Sequence, residues 1–190
     1  MPTGKNGRRS KKAKASKFSG RFGRLREHFI QNPDKALRAL YADVERMDGL
    51  HSYAKIDDFS VESDEPKGIG GTDKAPTPTQ LLLASMAHCQ AITLKIYAEG
   101  LGLALDDVTV KVNGVLDLRG YFSIEDDKGS AVDPSLQTVS IKTYIVTHET
   151  KAKVRELIGA TKGRGVCLST VEKGLRIRYY YWFNGKHLRV

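Results

Sequence analysis

The feature that most constrains the fold is the stretch TPTQLLLASMAHCQAITLKIYAEGLG, residues 77–102. Thr77 and Gln80 have the spacing of a capping box, and Pro78 suits the first helical turn. Small and apolar side chains then recur at steps of three and four along one face: Leu82, Ser85, Cys89, Ile92, Thr93 and Ile96. The pattern predicts a long, largely buried helix that ends at the glycines of its final EGLG sequence.

The segments after this helix have the alternation of β-strands. Apolar and polar side chains alternate along residues 106–124 and again along residues 136–148. The Gly-rich, acidic sequence EDDKGSAVDP joins the two segments. We therefore expect these strands to pair as an antiparallel hairpin.

The last part of the chain returns to helices before a final strand. A helical period runs through ETKAKVRELIGATKGRG, which ends in a basic, Gly-punctuated turn. Cys167 follows closely, and its neighbours predict a second short helix that stops before Gly174. The closing segment LRIRYYYWF, residues 175–183, is rich in aromatic and β-branched residues and predicts a strand.

The N-terminal segment carries the excess positive charge of the chain. Of the 31 basic residues behind the net charge of +9, ten lie within residues 1–26, which contain no acidic residue. A segment of this composition buries too little surface to order itself, so residues 1–31 are predicted to be a flexible tail. The tail is expected either to contact nucleic acid weakly and nonspecifically, or to be a solvated extension without a partner.

Residues 32–190 are predicted to form one domain, since a chain of this length suits a single hydrophobic core. Its first element is predicted to be an extra N-terminal helix over residues 32–48. Asn32 would be the N-cap of this helix, Pro33 its first residue and Gly49 its stop. A strand and a Gly- and Pro-rich loop would then lead into the capped helix.

Composition and motifs exclude several classes of protein. No run approaches the roughly 18 consecutive apolar residues of a membrane span, and the N-terminus has no signal-like apolar stretch. We therefore expect a soluble, cytoplasmic protein without a membrane partner. Two cysteines do not form a disulfide framework, and five scattered histidines without a Cys-x-x-Cys motif predict no metal site.

The two cysteines are the candidate reactive side chains. Cys89 lies two to three turns inside its helix, beyond the reach of the N-terminal dipole, where burial raises the pKa of a thiol. Cys167 lies near a helix N-terminus with Lys162 and Arg164 just upstream, and both features favour a thiolate. Local sequence thus predicts Cys167 to be the more acidic thiol, with simple core packing as the alternative role for each cysteine.

Two long stretches resemble the OsmC/Ohr family, the osmotically inducible and organic hydroperoxide resistance proteins. The first is DEPKGIGGTDKAPTPTQLLLASMAHCQAITLKIYAEGLGLALDDVTVKVNGVLDLRG, with its Pro-Thr-Pro motif and the first cysteine. The second is TKAKVRELIGATKGRGVCLSTVEKGLRI, with the other cysteine before a short helix. The resemblance covers residues 51–183. It implies an α+β, OsmC-like fold with two long central helices and antiparallel sheets, built as an intertwined homodimer.

The same resemblance implies a function. The family cysteine that matches Cys89 attacks a hydroperoxide as a thiolate and becomes a sulfenic acid, which the cysteine matching Cys167 resolves as a disulfide. The implied activity is a thiol-dependent peroxidase that reduces organic hydroperoxides, with Cys89 and Cys167 as catalytic residues. A nearby resolving thiol makes sense because an uncaptured sulfenic acid can be overoxidised irreversibly. No cofactor is implied, and an external dithiol reductant would restore the thiols by exchange.

The chain departs from the family where charge usually supports the thiolate. The acidic residues that open the family's cysteine helix are replaced by Thr79 and Gln80, and Lys67 is the only basic residue where the family's arginine would fall. Lys67 and Gln80 are therefore the candidates to support the thiolate. Two alternatives follow: a non-catalytic, redox-sensing or small-molecule-binding protein of the same fold, and a nucleic-acid-associated dimer that acts through its basic tail.

Overall fold

The computed structural model describes residues 18–174 and the backbone of residues 181–183 and 186–188. In these residues the helices are α1 (Gly20–Gln31), α2 (Pro78–Leu101), α3 (Leu118–Tyr121), α4 (Lys151–Thr161) and α5 (Val166–Lys173). The strands are β1 (Asp43–Asp48), β2 (His51–Ile56), β3 (Phe59–Ser63), β4 (Asp107–Leu116), β5 (Leu136–Val146), β6 (Tyr181–Phe183) and β7 (Lys186–Leu188). Short 3₁₀ turns occur at Pro33–Ala36 and Lys67–Ile69.

The long helix α2 has the two ends that the sequence predicts. At its start the Gln80 N–H donates to the Thr77 hydroxyl (3.2 Å) and the Thr77 N–H donates to the Gln80 side chain (2.8 Å). At its end Gly102 has a φ of 68°, the left-handed C-cap conformation that favours glycine. The capping box and the glycine stop are therefore both confirmed. The prediction that the helix is largely buried is wrong for this chain, because the face with Leu82, Ile92 and Ile96 is exposed.

The hydrophobic core lies between α2, α4 and the β4–β5 hairpin. Leu94 and Ala98 of α2 are buried together with Leu157 of α4, and Val108 and Ile145 from the two strands pack against them. By length and composition alone, α2 is apolar enough to cross a membrane. Its contacts with α1, α4, α5 and β4 are those of the central helix of a domain.

The predicted antiparallel hairpin is present as β4 and β5. The two strands pair along their whole length, from Asp107 opposite Val146 to Leu116 opposite Leu136. The predicted strand through residue 124 is too long, because the chain turns into the short helix α3 directly after β4. The mixed architecture of helices and antiparallel sheets is confirmed.

The predicted helix over residues 32–48 is wrong. After a 3₁₀ turn the chain forms β1, the first strand of an antiparallel sheet with the order β1-β2-β3. Gly49 does not stop a helix, but has a φ of 61° in the tight turn between Asp48 and its partner His51. Every side chain of β1 is exposed, so the helical spacing of apolar residues in this segment does not correspond to a buried face. Pairing with β2 instead determines that residues 43–48 form a strand.

The basic segment 1–31, predicted to be a flexible tail, forms the ordered helix α1 in its last part. The Phe18 and Phe22 rings lie 5.6 and 4.8 Å from the ring of Tyr97 on α2. Gly100 makes room for them, because a Cβ there would lie 2.9 Å from the Phe22 ring. Two isolated phenylalanines thus anchor the helix through contacts distant in sequence, which composition does not report.

Parts of two predictions fall on residues outside those that the structure describes. These are residues 1–17 of the predicted tail and residues 175–180 of the predicted last strand. The remainder of that strand is present as β6, which pairs antiparallel with β7.

A buried carboxylate fixes the loop between β3 and α2. Asp64 is 1% exposed, and it accepts hydrogen bonds from the Thr72 N–H (3.1 Å) and hydroxyl (2.6 Å). It also accepts bonds from the N–H groups of Glu65 (2.8 Å) and Lys74 (3.1 Å). These bonds, with the Thr72 hydroxyl foremost, outweigh burial and hold the pKa of Asp64 far below its usual value.

Replacing Asp64 with asparagine is expected to lower the melting temperature by several degrees at pH 7, because a neutral amide cannot accept all four bonds. The pKa of Asp64 is depressed by folding, so its contribution is complete above the unfolded value of about 3.9 and is lost as pH falls below it. Thermal unfolding of both proteins between pH 7 and pH 2 measures this, with exposed Asp58→Asn as the control. A melting difference that stays constant with pH would contradict the assignment.

Candidate active site

Cys89 and Cys167, far apart in sequence, are neighbours in the structure. Cys89 lies midway along α2, and Cys167 lies in the first turn of α5, which packs against α2. Both are free thiols, and their side chains are hydrogen-bonded to each other. The structure therefore brings together the two side chains that the sequence singles out.

The N-terminus of α5 faces the Cys89 sulfur. Burial is the largest single influence and raises the pKa of the Cys89 thiol, but hydrogen bonds from the backbone N–H groups of Cys167 and Leu168 oppose it. The side chains of Cys167 and Thr93 add further hydrogen bonds. Together these bonds hold the pKa of Cys89 below its ordinary value, which increases the thiolate fraction near neutral pH.

Cys167 has the opposite electrostatic setting. Burial and the adjacent negative charge of Cys89 raise the pKa of the Cys167 thiol, as does the hydrogen bond that it makes to Cys89. A hydrogen bond with Ser85 partly offsets these effects. The expectation that Cys167 is the more acidic thiol is therefore wrong. Cys89 lies beyond the dipole of its own helix but at the N-terminus of α5.

A cavity of about 610 Å³ opens beside the two sulfurs. Much of its wall is apolar and comes from Ile92, Ile96, Tyr97 and Val166. Arg164, which precedes α5, also lines it. An apolar molecule in this cavity would lie within reach of both thiols.

The two residues predicted to support the thiolate lie elsewhere. Gln80 is held in the capping box of α2, about 13 Å along the helix axis from Cys89. Lys67 is exposed in the 3₁₀ turn of the preceding loop. Among the described residues, the groups that lower the pKa of Cys89 include neither of them.

The groups that do act on Cys89 were only partly visible in the sequence. Thr93 follows Cys89 by four residues on the same helical face, so its position carried a signal. The N–H groups of Cys167 and Leu168 give no signal in the sequence, because every residue except proline has a backbone N–H group. Only the packing of α5 on α2 assigns them to the site.

Metal coordination is a different use of cysteine and histidine side chains. Across the described part of the chain, no group of three or more His, Cys, Asp or Glu side chains is arranged to hold a metal ion. Cys89 and Cys167 instead face each other and a largely apolar cavity.

Comparison with known proteins identifies the same fold elsewhere. A family model described as OsmC-like protein matches residues 71–179. The crystal structure of an OsmC-like protein from Mycoplasma pneumoniae is 18% identical, with a TM-score of 0.54, and the match covers 72% of this chain and 87% of that one. An organic hydroperoxide resistance protein OsmC from Legionella pneumophila is 19% identical, with a TM-score of 0.52 and coverage of 71% and 90%.

A third solved structure shows how far sequence can diverge within this fold. An OsmC-like protein of unknown function from Vibrio cholerae is 12% identical, with a TM-score of 0.56, and the match covers 72% of this chain and 95% of that one. At such identities the solved structures show a shared fold and not a shared activity. No curated protein matches the sequence.

Cys89 is expected to react with iodoacetamide at lower pH than Cys167, because the pKa of Cys89 is lowered and that of Cys167 is raised. Thr93→Val should shift the Cys89 profile upward by roughly half to one pH unit, the equivalent of one lost hydrogen bond. Peptide mass mapping of alkylation between pH 5 and pH 10 follows each cysteine separately.

Thr79→Val, on the same helix but in its first turn, serves as the matched control and should leave both profiles unchanged. Alkylation of Cys167 at lower pH than Cys89 in the wild type would contradict the assignment of Cys89 as the more acidic thiol.

Proposed function

Because the chain belongs to the OsmC-like protein family, we propose that it is a thiol-dependent peroxidase that reduces organic hydroperoxides. The observation that carries the proposal is the position of the Cys89 sulfur against Gly165, the N-cap of α5, where both thiols line the same cavity. A thiol of lowered pKa next to a second thiol is what a two-cysteine peroxidase requires. The name of the Legionella relative, an organic hydroperoxide resistance protein, is consistent with this substrate class.

In the first step, the Cys89 thiolate attacks the terminal oxygen of the hydroperoxide. A sulfur–oxygen bond forms, the oxygen–oxygen bond breaks, and the alkoxide leaves and takes a proton from water. Cys89 is oxidised to the sulfenic acid and the hydroperoxide is reduced to the alcohol. The N–H groups at the start of α5 and the Thr93 hydroxyl support the reaction because they hold the sulfur as thiolate beforehand.

In the second step, the Cys167 sulfur attacks the sulfenic sulfur of Cys89. A disulfide forms, and the hydroxyl group leaves as water with the proton of the Cys167 thiol. Conversion of Cys89 to a neutral sulfenic acid removes the negative charge that raises the pKa of Cys167. Cys167 thus becomes the better nucleophile only after Cys89 has reacted. A dithiol reductant then returns the disulfide to two thiols by exchange.

The cavity beside the sulfurs favours organic over small polar hydroperoxides. Ile92, Ile96, Tyr97 and Val166 offer apolar surface next to Cys89. Burial of a hydrocarbon group against such surface is favourable by about 25 cal/mol per Å². Hydrogen peroxide has no apolar group and would gain nothing from these walls.

We further propose that the chain forms a homodimer, as its apolar surface suggests. On α2, Ile92 is 56% exposed, and Leu82 and Ile96 lie on the same helical face. In the three-stranded sheet, Phe59 of β3 is 73% exposed and Val44 of β1 is 62% exposed. Groups of exposed, large apolar side chains are typical of surfaces that a partner covers. A second copy of the chain would cover both the face of α2 and the sheet.

Steady-state reduction of cumene hydroperoxide with dithiothreitol tests the activity. Cys89→Ser is expected to lower turnover to the uncatalysed rate, because it removes the attacking sulfur. Cys167→Ser should still be oxidised once, with a sulfenic acid on Cys89 that dimedone traps, but should lose disulfide-dependent turnover. Ala84→Ser, an exposed position of the same helix, is the control for a serine on α2 and should match the wild type.

Wild-type turnover no faster than that of Cys89→Ser would refute the peroxidase. If the wild type is then still oxidised once by stoichiometric hydroperoxide, the redox-sensing alternative takes its place.

Size-exclusion chromatography with light scattering, which measures the mass of the protein in solution, tests the dimer. The expected mass is twice the chain mass of 21.0 kDa. Leu82→Glu should shift the protein toward the monomer, because it places a charge in the apolar face of α2 at a position that does not line the cavity. Gln31→Glu adds the same charge at the exposed end of α1 and should leave the mass unchanged. A wild-type mass near 21 kDa at micromolar concentration would contradict the dimer.

A further inference from the structure

The N-terminus of α5 has no side-chain cap of its own. Its N-cap residue is Gly165, with φ −70° and ψ 120°, and no side chain accepts a hydrogen bond there in the usual capping manner. The first backbone bond of the helix runs from the Ser169 N–H to the Gly165 carbonyl (2.8 Å). The N–H groups before Ser169 therefore need partners from outside the helix. Two of them, on Cys167 and Leu168, donate to the Cys89 sulfur.

Gly165 is where the sulfur and the helix meet. A Cβ at this position would lie 3.1 Å from the Cys89 Sγ and 3.3 Å from the Leu168 Cδ1. Contacts of that length are tighter than ordinary van der Waals separation, so the sulfur and the Leu168 side chain would have to shift by a few tenths of an ångström. The φ of −70° is one that any residue adopts. The advantage of glycine here is therefore the space that it leaves for the sulfur and not its backbone freedom.

We infer that Gly165 is a positioning residue for Cys89: its missing side chain lets the Cys89 sulfur take the place of the N-cap of α5. The inference deepens the proposed function and rests on it only for the use of the thiolate. Gly165 touches no reacting oxygen and acts through the position of the sulfur.

At position 165, the residue that would stabilise helix α5 most differs from the residue that would stabilise the Cys89 thiolate most. Serine, threonine, aspartate and asparagine are the residues that best cap a helix, through a side-chain oxygen that accepts the N–H groups of the first turn. At position 165 such an oxygen would compete with Cys89 for the N–H groups of Cys167 and Leu168. A residue at position 165 that caps α5 better would therefore stabilise the Cys89 thiolate less. Such a trade-off between stability and function is common at functional sites.

The test compares Gly165→Ala and Gly165→Ser with Gly159→Ala in the full chain. Gly159 lies in α4 with no atom near its missing Cβ, so an alanine there is a glycine-to-alanine change without contact with the site. The readouts are the alkylation rate of Cys89 by iodoacetamide at pH 6.5, followed by peptide mass mapping, and the melting temperature by circular dichroism.

The inference predicts that Gly165→Ala slows Cys89 alkylation about three- to tenfold, since each pKa unit changes the thiolate fraction tenfold below the pKa. Gly165→Ser should slow it further, by about tenfold or more, yet melt no lower than Gly165→Ala because the serine caps the helix. Gly159→Ala should alkylate at the wild-type rate. A merely structural role for Gly165 would lower the melting temperature of the serine variant together with its thiol reactivity.

Wild-type alkylation rates in both Gly165 variants would overturn the inference. Loss of the cooperative melting transition in both would overturn it as well, because the strain is assigned to the sulfur and not to the fold. The alkylation readout is independent of peroxidase turnover. A slowed Cys89 in a protein without turnover would therefore support the role of Gly165 while refuting the proposed peroxidase.

Discussion

The site depends on the meeting of one sulfur with one helix N-terminus. Cys89 is half-buried on α2, where burial by itself raises the pKa of its thiol, and the N–H groups that open α5 reverse that effect. This contact requires α5 to pack on α2 in one position, and it places Cys167 beside Cys89. The relation of the two thiols, one of lowered and one of raised pKa, follows from the same contact.

Backbone groups here contribute what a charged side chain contributes in many thiolate sites. The N–H groups of α5 are fixed by the helix, so no long side chain has to be ordered to bring them to the sulfur. Their effect is local, because the field of a helix terminus fades within about one turn. The expected supports, Gln80 in its capping box and exposed Lys67, are not among the groups that lower the pKa of Cys89.

Sequence patterns predicted the elements that are determined locally and missed those that depend on distant contacts. The capping box at Thr77 and the alternation of β4 and β5 are local signals, and both elements are present. The strand β1 is held by its pairing with β2, and α1 is held by Phe18 and Phe22 on Tyr97. The order of the two thiol pKa values was missed for the same reason, since the helix that acts on Cys89 is not its own.

Backbone amide NMR over a pH titration tests this central contact most directly. If the N–H groups of Cys167 and Leu168 donate to the Cys89 sulfur, their proton resonances should move downfield together, with a midpoint below the ordinary thiol value of about 8.5. The shift should be absent in Cys89→Ser. Amide resonances of Cys167 and Leu168 that stay constant through the ionisation of Cys89 would contradict the account.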